Sequence, residues 1–200
     1  MNDLPEAILA FWFGKESAER PASPERLRFW FAGGEEADRA IGERFLPAVE
    51  LASAGGYAEW RQTPRTALAL LLLLDQFPRN IFRHSPRAYA SDPLAREATL
   101  AGLTAGQDRQ LTIVERAFFY LPLEHAEDLS LQERSVALFT QLLAAASPEL
   151  QTMCRGFLDY ARRHREIIAR FGRFPHRNAV LGRTSSAEEE AFLRLPGSSF

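Results

Sequence analysis

Three stretches of this 200-residue sequence concentrate side chains that could bind anions or move protons. The first is Leu74-Asp75-Gln76-Phe77-Pro78-Arg79-Asn80. Asp75 follows the most apolar run in the chain and is expected near a helix C-terminus, where a carboxylate faces the negative end of the helix dipole. Burial raises the penalty further, so Asp75 needs a cationic partner. Arg79 stands four residues on, with Pro78 expected to disturb the helix between them. The second stretch, Tyr120-Leu121-Pro122-Leu123-Glu124-His125-Ala126-Glu127-Asp128, is acidic around one imidazole, and a carboxylate beside His125 would raise its pKa. The third runs from Arg162 to Arg183 and holds seven arginines, His164 and His176 against one acid, Glu166.

Brought together, these residues suit an anion site. Arg79, Arg173, Arg177 and Arg183 offer guanidinium forks for a phosphate or carboxylate. Asn80, Asn178 and a helix start near Pro175 would add N–H donors. Asp75 and Glu127 complete the expected ligand-binding set. His125 or His176 is the candidate for acid–base catalysis, because imidazole titrates near neutrality. The same charges also suit a purely structural network, in which Asp75, Glu124, Glu127 and Asp128 staple the C-terminal arginines onto the central helix. A His/carboxylate metal site, and with it a metal-dependent hydrolase, would draw on His125, His164 and His176 with Glu127 or Asp75. The spacing matches no metal motif, and His125 and Glu127 lie two residues apart, off a shared helical face. No metal and no cofactor is expected. Cys154 sits on an apolar face, and no nucleophile elbow, phosphate-binding loop or dinucleotide fingerprint occurs.

The elements that must position these residues read as helices. Cap-then-proline pairs stand at Ser23-Pro24, Thr63-Pro64, Asp92-Pro93 and Ser147-Pro148, where proline fits a first helical turn. Thr112 with Glu115, Ser130 with Glu133, and Ser185 with Glu188 have capping-box spacing. Between these signals the apolar residues recur at helical intervals. A helix opening at Thr63 is apolar nearly all round through Leu74, which predicts a central, buried position. Ala37 to Ala52 predicts a long helix closed by Gly55-Gly56. The helix from Asp92 ends near Gly106, and the one from Thr112 near Pro122. Ser147 opens the longest, with Cys154, Phe157, Ala161, His164 and Ile168 on one face. Trp12, Trp30 and Trp60 have apolar neighbours and are expected inside. No segment alternates as a strand. Short links between neighbouring helices predict one all-α domain over residues 1–200 of stacked antiparallel hairpins, with 196–200 a loose tail.

Bulk composition narrows the function. A formal net charge of -2 and a pI of about 6.1 argue against a nucleic-acid or membrane-surface protein. All the basic residues but Lys15 are arginine, a bias that codon usage in a GC-rich genome produces without selection for phosphate binding. One cysteine forbids an intrachain disulfide and suits a reducing cytoplasm. The start lacks the basic and apolar regions of a signal peptide, and the apolar run Ala67 to Leu74 is too short to span a bilayer.

The three polar stretches, together with Phe11-Trp12-Phe13-Gly14, Trp30-Phe31, Gly172-Arg173-Phe174-Pro175-His176-Arg177-Asn178 and Leu181-Gly182-Arg183, resemble the bacterial domain-of-unknown-function family nine-two-four over essentially the whole chain. Glu124 and Ala126 depart from its pattern, in which methionine and serine are commoner around the histidine. The resemblance implies a tetratricopeptide-like helical superhelix and no activity. No sequence period of that repeat is visible. Such a fold would make the alternative an interaction module, its concave face holding a peptide or its C-terminal carboxylate.

Overall fold

In a computed structural model the described residues are 4–14 and 21–198; the start residues 1–3, Lys15 and the last two residues of the expected tail lie outside them. The most apolar stretch becomes the axis of the molecule. α4 (Pro64–Leu71), a π turn (Leu72–Gln76) and α5 (Phe77–Ile81) run on as one helix, and every residue from Ala67 to Pro78 is buried. α1 (Leu4–Phe13), α6 (Asp92–Thr104) and α7 (Ile113–Glu124) pack on α4, while α3 (Glu35–Ser53) packs on the π turn and α5. α2 (Pro24–Leu27), capped by Ser23, leads into a second π turn, Arg28–Ala32. α7, α8 (Leu129–Ala145) and α9 (Gln151–Phe171) pack side by side in sequence, and α10 (Ala187–Leu193) closes the chain. The fold is all-α. No strand occurs among the described residues, and none of their helices is long and apolar enough to cross a membrane.

Pro78 does not end the helix as its missing N–H suggests. The Phe77 N–H bonds to the Leu72 carbonyl, five residues back, and this widened turn accommodates the proline that follows. Asp75 therefore lies mid-helix rather than at a C-terminus. Its own carbonyl accepts Arg79 Nη1 at 2.7 Å. Pro122 likewise falls inside α7, which continues to Glu124. A proline so close to the end removes one hydrogen bond and leaves only two residues to follow.

The Thr112–Glu115 capping box forms as expected. The other two shift. Asp128 caps α8 through the Leu131 N–H, and Ser130 donates to that same carboxylate at 2.6 Å. The last box is Ser186 with Glu189, one residue on from Ser185 and Glu188, because Arg173 grips Glu189 and sets the register. Asp92 is the first residue of α6, not its cap, and turns its carboxylate to Arg79. Gly55, at φ +87°, turns the chain out of α3 where a side chain would be strained.

The core gathers all three tryptophans. Trp30 Nε1 donates to the Trp12 carbonyl at 2.9 Å, and the Trp30 ring meets Phe118 edge-on at 4.8 Å. A smaller cluster of Ile167, Ile168 and Phe174 seals the C-terminal segment, with Phe192 of α10 against it. Ser198 Oγ donates to the Leu193 carbonyl at 3.1 Å, which ties the described part of the tail to α10.

Gly102 on α6 tests this packing. A Cβ there would stand 2.5 Å from Phe119 Cζ and 2.9 Å from Gln107 Oε1. Helix propensity favours Gly102→Ala by about 1 kcal/mol. The overlap with a fully buried ring should outweigh it, giving a net loss of about 1–3 kcal/mol, read as a lower midpoint in urea denaturation. A variant more stable than the parent would contradict the tight α6–α7 contact.

Candidate functional site

Burying a carboxylate on the central helix sets the terms for everything around it. Asp75 is 1% exposed. His125, at the C-terminal end of α7, places Nδ1 2.8 and 3.0 Å from its two oxygens. Arg79 Nη1 lies 3.2 Å from Oδ1, and Gln76 Nε2 donates to Oδ2. Burial by itself would raise the Asp75 pKa. The Arg79 guanidinium first, then His125, outweigh it and hold the carboxyl ionised, below the ordinary carboxylate range. An ionised carboxylate only accepts, so His125 carries its proton on Nδ1 and its lone pair on Nε2. Burial also lowers the His125 pKa, against the pull of Asp75, so the ring is neutral at pH 7.

Arg79 is shared between two acids. Its Nη1 and Nη2 reach the Asp92 oxygens at 3.0 Å each, a bidentate pair from α5 to α6. Arg183 forms a second fork, with Nη1 2.6 Å from Glu127 Oε2 and Nη2 2.9 Å from Oε1. Glu127 Oε1 also accepts the Phe174 N–H at 2.8 Å, so the segment after α9 is bound to the α7–α8 turn. Arg173 forms a third with Glu189, at 2.6 and 2.8 Å, and faces α10. Asn178 receives Arg183 Nε on its side-chain oxygen and donates to Ser185. Asn80 donates to the Gln76 carbonyl.

Arg177 differs from the other three. It is 6% exposed, yet no carboxylate fills its fork. Nη1 donates to the His125 carbonyl at 3.1 Å and stands 3.6 Å from Asp92 Oδ2. Nε is buried without a hydrogen-bond partner among the described residues. The guanidinium lies over the Tyr89 ring at 4.7 Å and the Phe174 ring at 4.4 Å. Burial, then the neighbouring Arg79 charge, pull its pKa down to about 10.

A second layer lies behind His125. The His164 ring centroid is 6.1 Å from that of His125 and 5.4 Å from Phe174, which is 5.6 Å from His176. His164 Nδ1 approaches the Tyr160 carbonyl at 2.9 Å and Glu124 Oε1 at 3.2 Å. Burial pushes His164 down to about 3 and His176 down to about 4, so both are neutral at pH 7. Glu124 is 3% exposed, and burial, reinforced by the Asp75 charge, pushes it up to about 8. Two neighbouring carboxyl groups thus hold opposite states, Asp75 ionised and Glu124 protonated.

Asp75, Arg79, His125 and Arg177 are linked directly through these contacts. His176, Glu127, Asn178 and Arg183 form the adjoining wall, Asn80 stays on α5, and Arg173 is committed to Glu189. Asp92, Tyr89, Glu124 and His164 complete the cluster beyond the nominated set. Asp92 resembled an ordinary helix cap, although the Arg79 fork has N–H donors beyond those one acid occupies. Tyr89 gave no local signal. Among the described residues, no group of three or more His, Cys, Asp or Glu stands where it could hold a metal ion.

The profile of a family described as bacterial protein of unknown function (DUF924) matches residues 8–197. A solved structure of a protein of unknown function from Agrobacterium tumefaciens is 37% identical, with a TM-score of 0.80 over 96% of this chain and 97% of that one. No curated protein matches the chain.

The raised Glu124 pKa has a measurable consequence. A folded-state value of about 8 against an unfolded value near 4.5 means the folded protein holds an extra proton between them. That contribution is complete below about pH 4.5 and is lost as pH rises through about 8. Glu124→Gln keeps the shape of the neutral carboxyl and cannot ionise. Its stability relative to wild type should therefore rise from pH 5 to pH 9, by on the order of 1–4 kcal/mol in urea denaturation. A difference that stays constant with pH would show that Glu124 does not titrate this way.

Proposed function

The chain belongs to the DUF924 family of bacterial proteins, and we propose that it binds a small anion or a carboxylate at His125 and Arg177, with Asp75 orienting the imidazole for acid–base chemistry. The observation that carries this reading is the state of Arg177. A guanidinium more than nine-tenths buried, lying against two rings, with its Nε unbonded among the described residues and only a 3.6 Å approach to an Asp92 that Arg79 already grips, is a cation short of an acceptor. Beside it, His125 is neutral and has its Nδ1 committed to Asp75, the form a general base requires. The anion would sit against the free side of the Arg177 fork, within reach of His125 Nε2. His176 lies next to Arg177 in sequence and is the other acid–base candidate. The protonated Glu124 supports the reading, because carboxyl groups with separated pKa values are how one site keeps both an acid and a charge at pH 7.

The ligand's source is open within that chemistry. A free metabolite and the C-terminal carboxylate of a peptide offer the same charge, and a tetratricopeptide-like stacking of the hairpins would suit the peptide. A cytoplasmic location fits the single, buried cysteine, Cys154. A wholly structural network is the competing reading. The filled forks of Arg79, Arg173 and Arg183 favour it for those three residues. They act as staples, so Arg177 and His125 remain for the ligand.

Thermal shift with a panel of phosphate, acetate, citrate and C-terminal tripeptides separates the two. Binding at about 100 times Kd stabilises the folded state by about 2.7 kcal/mol. Wild type should show such a shift with at least one anion. Arg177→Met should abolish it, whereas Arg183→Met should lower the starting stability and keep it. No shift across the panel, or a shift unaffected by Arg177→Met, would leave only the structural network.

A further inference from the structure

The cluster around His125 and Arg177 is already electrically closed, and that limits what can enter it. Asp75 pairs with Arg79 at 3.2 Å, Asp92 with Arg79 at 3.0 Å and with Arg177 at 3.6 Å, and Glu127 with Arg183 at 2.6 Å. Three carboxylates thus meet three guanidiniums, and their formal charges cancel. The pairing is uneven. Arg79 holds two acids, while Arg177 makes its hydrogen bond to a carbonyl, that of His125. The Arg177 fork therefore has N–H groups to offer an anion, but the cluster has no net positive charge to match one. Arg79, Tyr89, His125, Glu127 and Arg183 are half-buried rather than sealed, so a small ion can reach this face from solvent.

An anion entering by itself would leave an uncompensated charge in a largely buried site. An imidazole can supply the missing positive charge near neutrality. His125 is the one prepared to do so. Its Nδ1–H already bonds the ionised Asp75, so a proton added at Nε2 creates an imidazolium that faces a carboxylate. His164 turns Nδ1 to the Tyr160 carbonyl, and the carboxyl it meets, Glu124, is neutral at pH 7. His176 adjoins Arg177, whose charge opposes a second one beside it. The titratable and charged groups facing His125 are Asp75 and Arg79 on the central helix, Glu124 on α7, His164 on α9, and His176 and Arg177 after it, with Asp92 and Tyr89 on the side toward α6. Loss of the Glu124 proton would add a negative charge, the wrong sign to balance an anion.

We propose that the site takes up a singly charged carboxylate together with one proton, which passes from solvent to His125 Nε2. This rests on the anion-site reading and narrows it to one ligand class, a free monocarboxylate or a peptide C-terminus, with affinity set by pH. The bound carboxylate lies between two donors, the Arg177 fork and the imidazolium, and the cluster stays neutral. A dianion would keep one charge uncompensated. Burial holds the free His125 below the ordinary 6.5, and a bound anion raises it. Affinity therefore falls as pH rises above about 6.5, by up to about tenfold per unit, and levels off once the complex itself releases the proton.

Calorimetric titration with acetate, N-acetyl-trialanine and sulfate, in two cationic buffers of different ionisation heat, counts the protons exchanged. The better carboxylate should take up about one proton per ion bound at pH 7, and sulfate should bind at least about tenfold more weakly. Which carboxylate binds tighter tells a free acid from a peptide end. The wild-type proton count tests the coupling without any variant. His125→Gln can donate to Asp75 but cannot gain a charge. It should bind acetate with no proton exchanged and with an affinity that no longer changes from pH 6 to pH 8. Sulfate as tight as acetate, no proton taken up by wild type, or uptake unchanged in His125→Gln overturns the coupling and leaves an anion site standing. Binding of none of the three ions overturns the coupling and the anion site together.

Discussion

A single ionised carboxylate inside the most apolar helix is the constraint on which the rest of this structure depends. Asp75 stands among leucines on the central helix, and its charge is tolerated only because a guanidinium and an imidazole N–H converge on it. Arg79 comes from the next turn of the same helix, and His125 from the end of α7. Arg79 is itself buried and has more N–H donors than Asp75 occupies, so its fork also engages Asp92 at the start of α6. Arg177 then reaches the same acid and the His125 carbonyl from the segment after α9. Four separate parts of the chain are thereby held by one sequence of charge compensation. Deleting any partner of such a buried set strands its neighbour, which is far more destabilising than losing a surface pair.

Within that cluster the charges divide into satisfied and unsatisfied groups, and the division suggests where function resides. Bidentate forks at Arg79, Arg173 and Arg183 have the geometry of staples. Arg177 lies against two rings and only approaches, at 3.6 Å, an Asp92 whose two oxygens Arg79 already grips, and the three histidines nearby are all driven neutral by burial. An ionised Asp75 beside a protonated Glu124 is an arrangement that ordinary packing has no need of, because two buried acids are harder to accommodate than two apolar residues of the same size. Likeness to another protein of unknown function carries the fold across and leaves the chemistry to be read from these residues.

Much of the helical framework was legible in the sequence because its causes are local. The Thr63 to Leu74 run announces a central helix, the Thr112–Glu115 box forms where it is written, and Gly55 ends α3 as expected. The failures have two causes. The boxes at Ser130 and Ser185 have the right spacing, yet Asp128 competes for one and the Arg173–Glu189 pair pulls the other one residue along. Pro78 reads as a helix end, but a π turn absorbs it. Asp92 reads as a cap, but a buried guanidinium claims its carboxylate. At Glu189 and Asp92 a contact between residues far apart in sequence outweighed a local preference worth about 1 kcal/mol, whereas at Asp128 and Pro78 a second local preference prevailed.

From residue order alone one can determine that this chain is helical, where its central helix lies, and that Asp75, His125 and the C-terminal arginines are chemically out of keeping with a plain bundle. Periodicity and capping act over a few residues, so they survive without knowledge of the fold. Only the tertiary structure decides which arginine meets which acid, that Asp75 and Glu124 take opposite protonation states, and that Arg177 alone of the nominated arginines lacks a carboxylate in its fork. Those outcomes depend on burial and on distances between residues up to a hundred positions apart. Electrostatics in a low-dielectric interior follows geometry in space, which residue order does not carry.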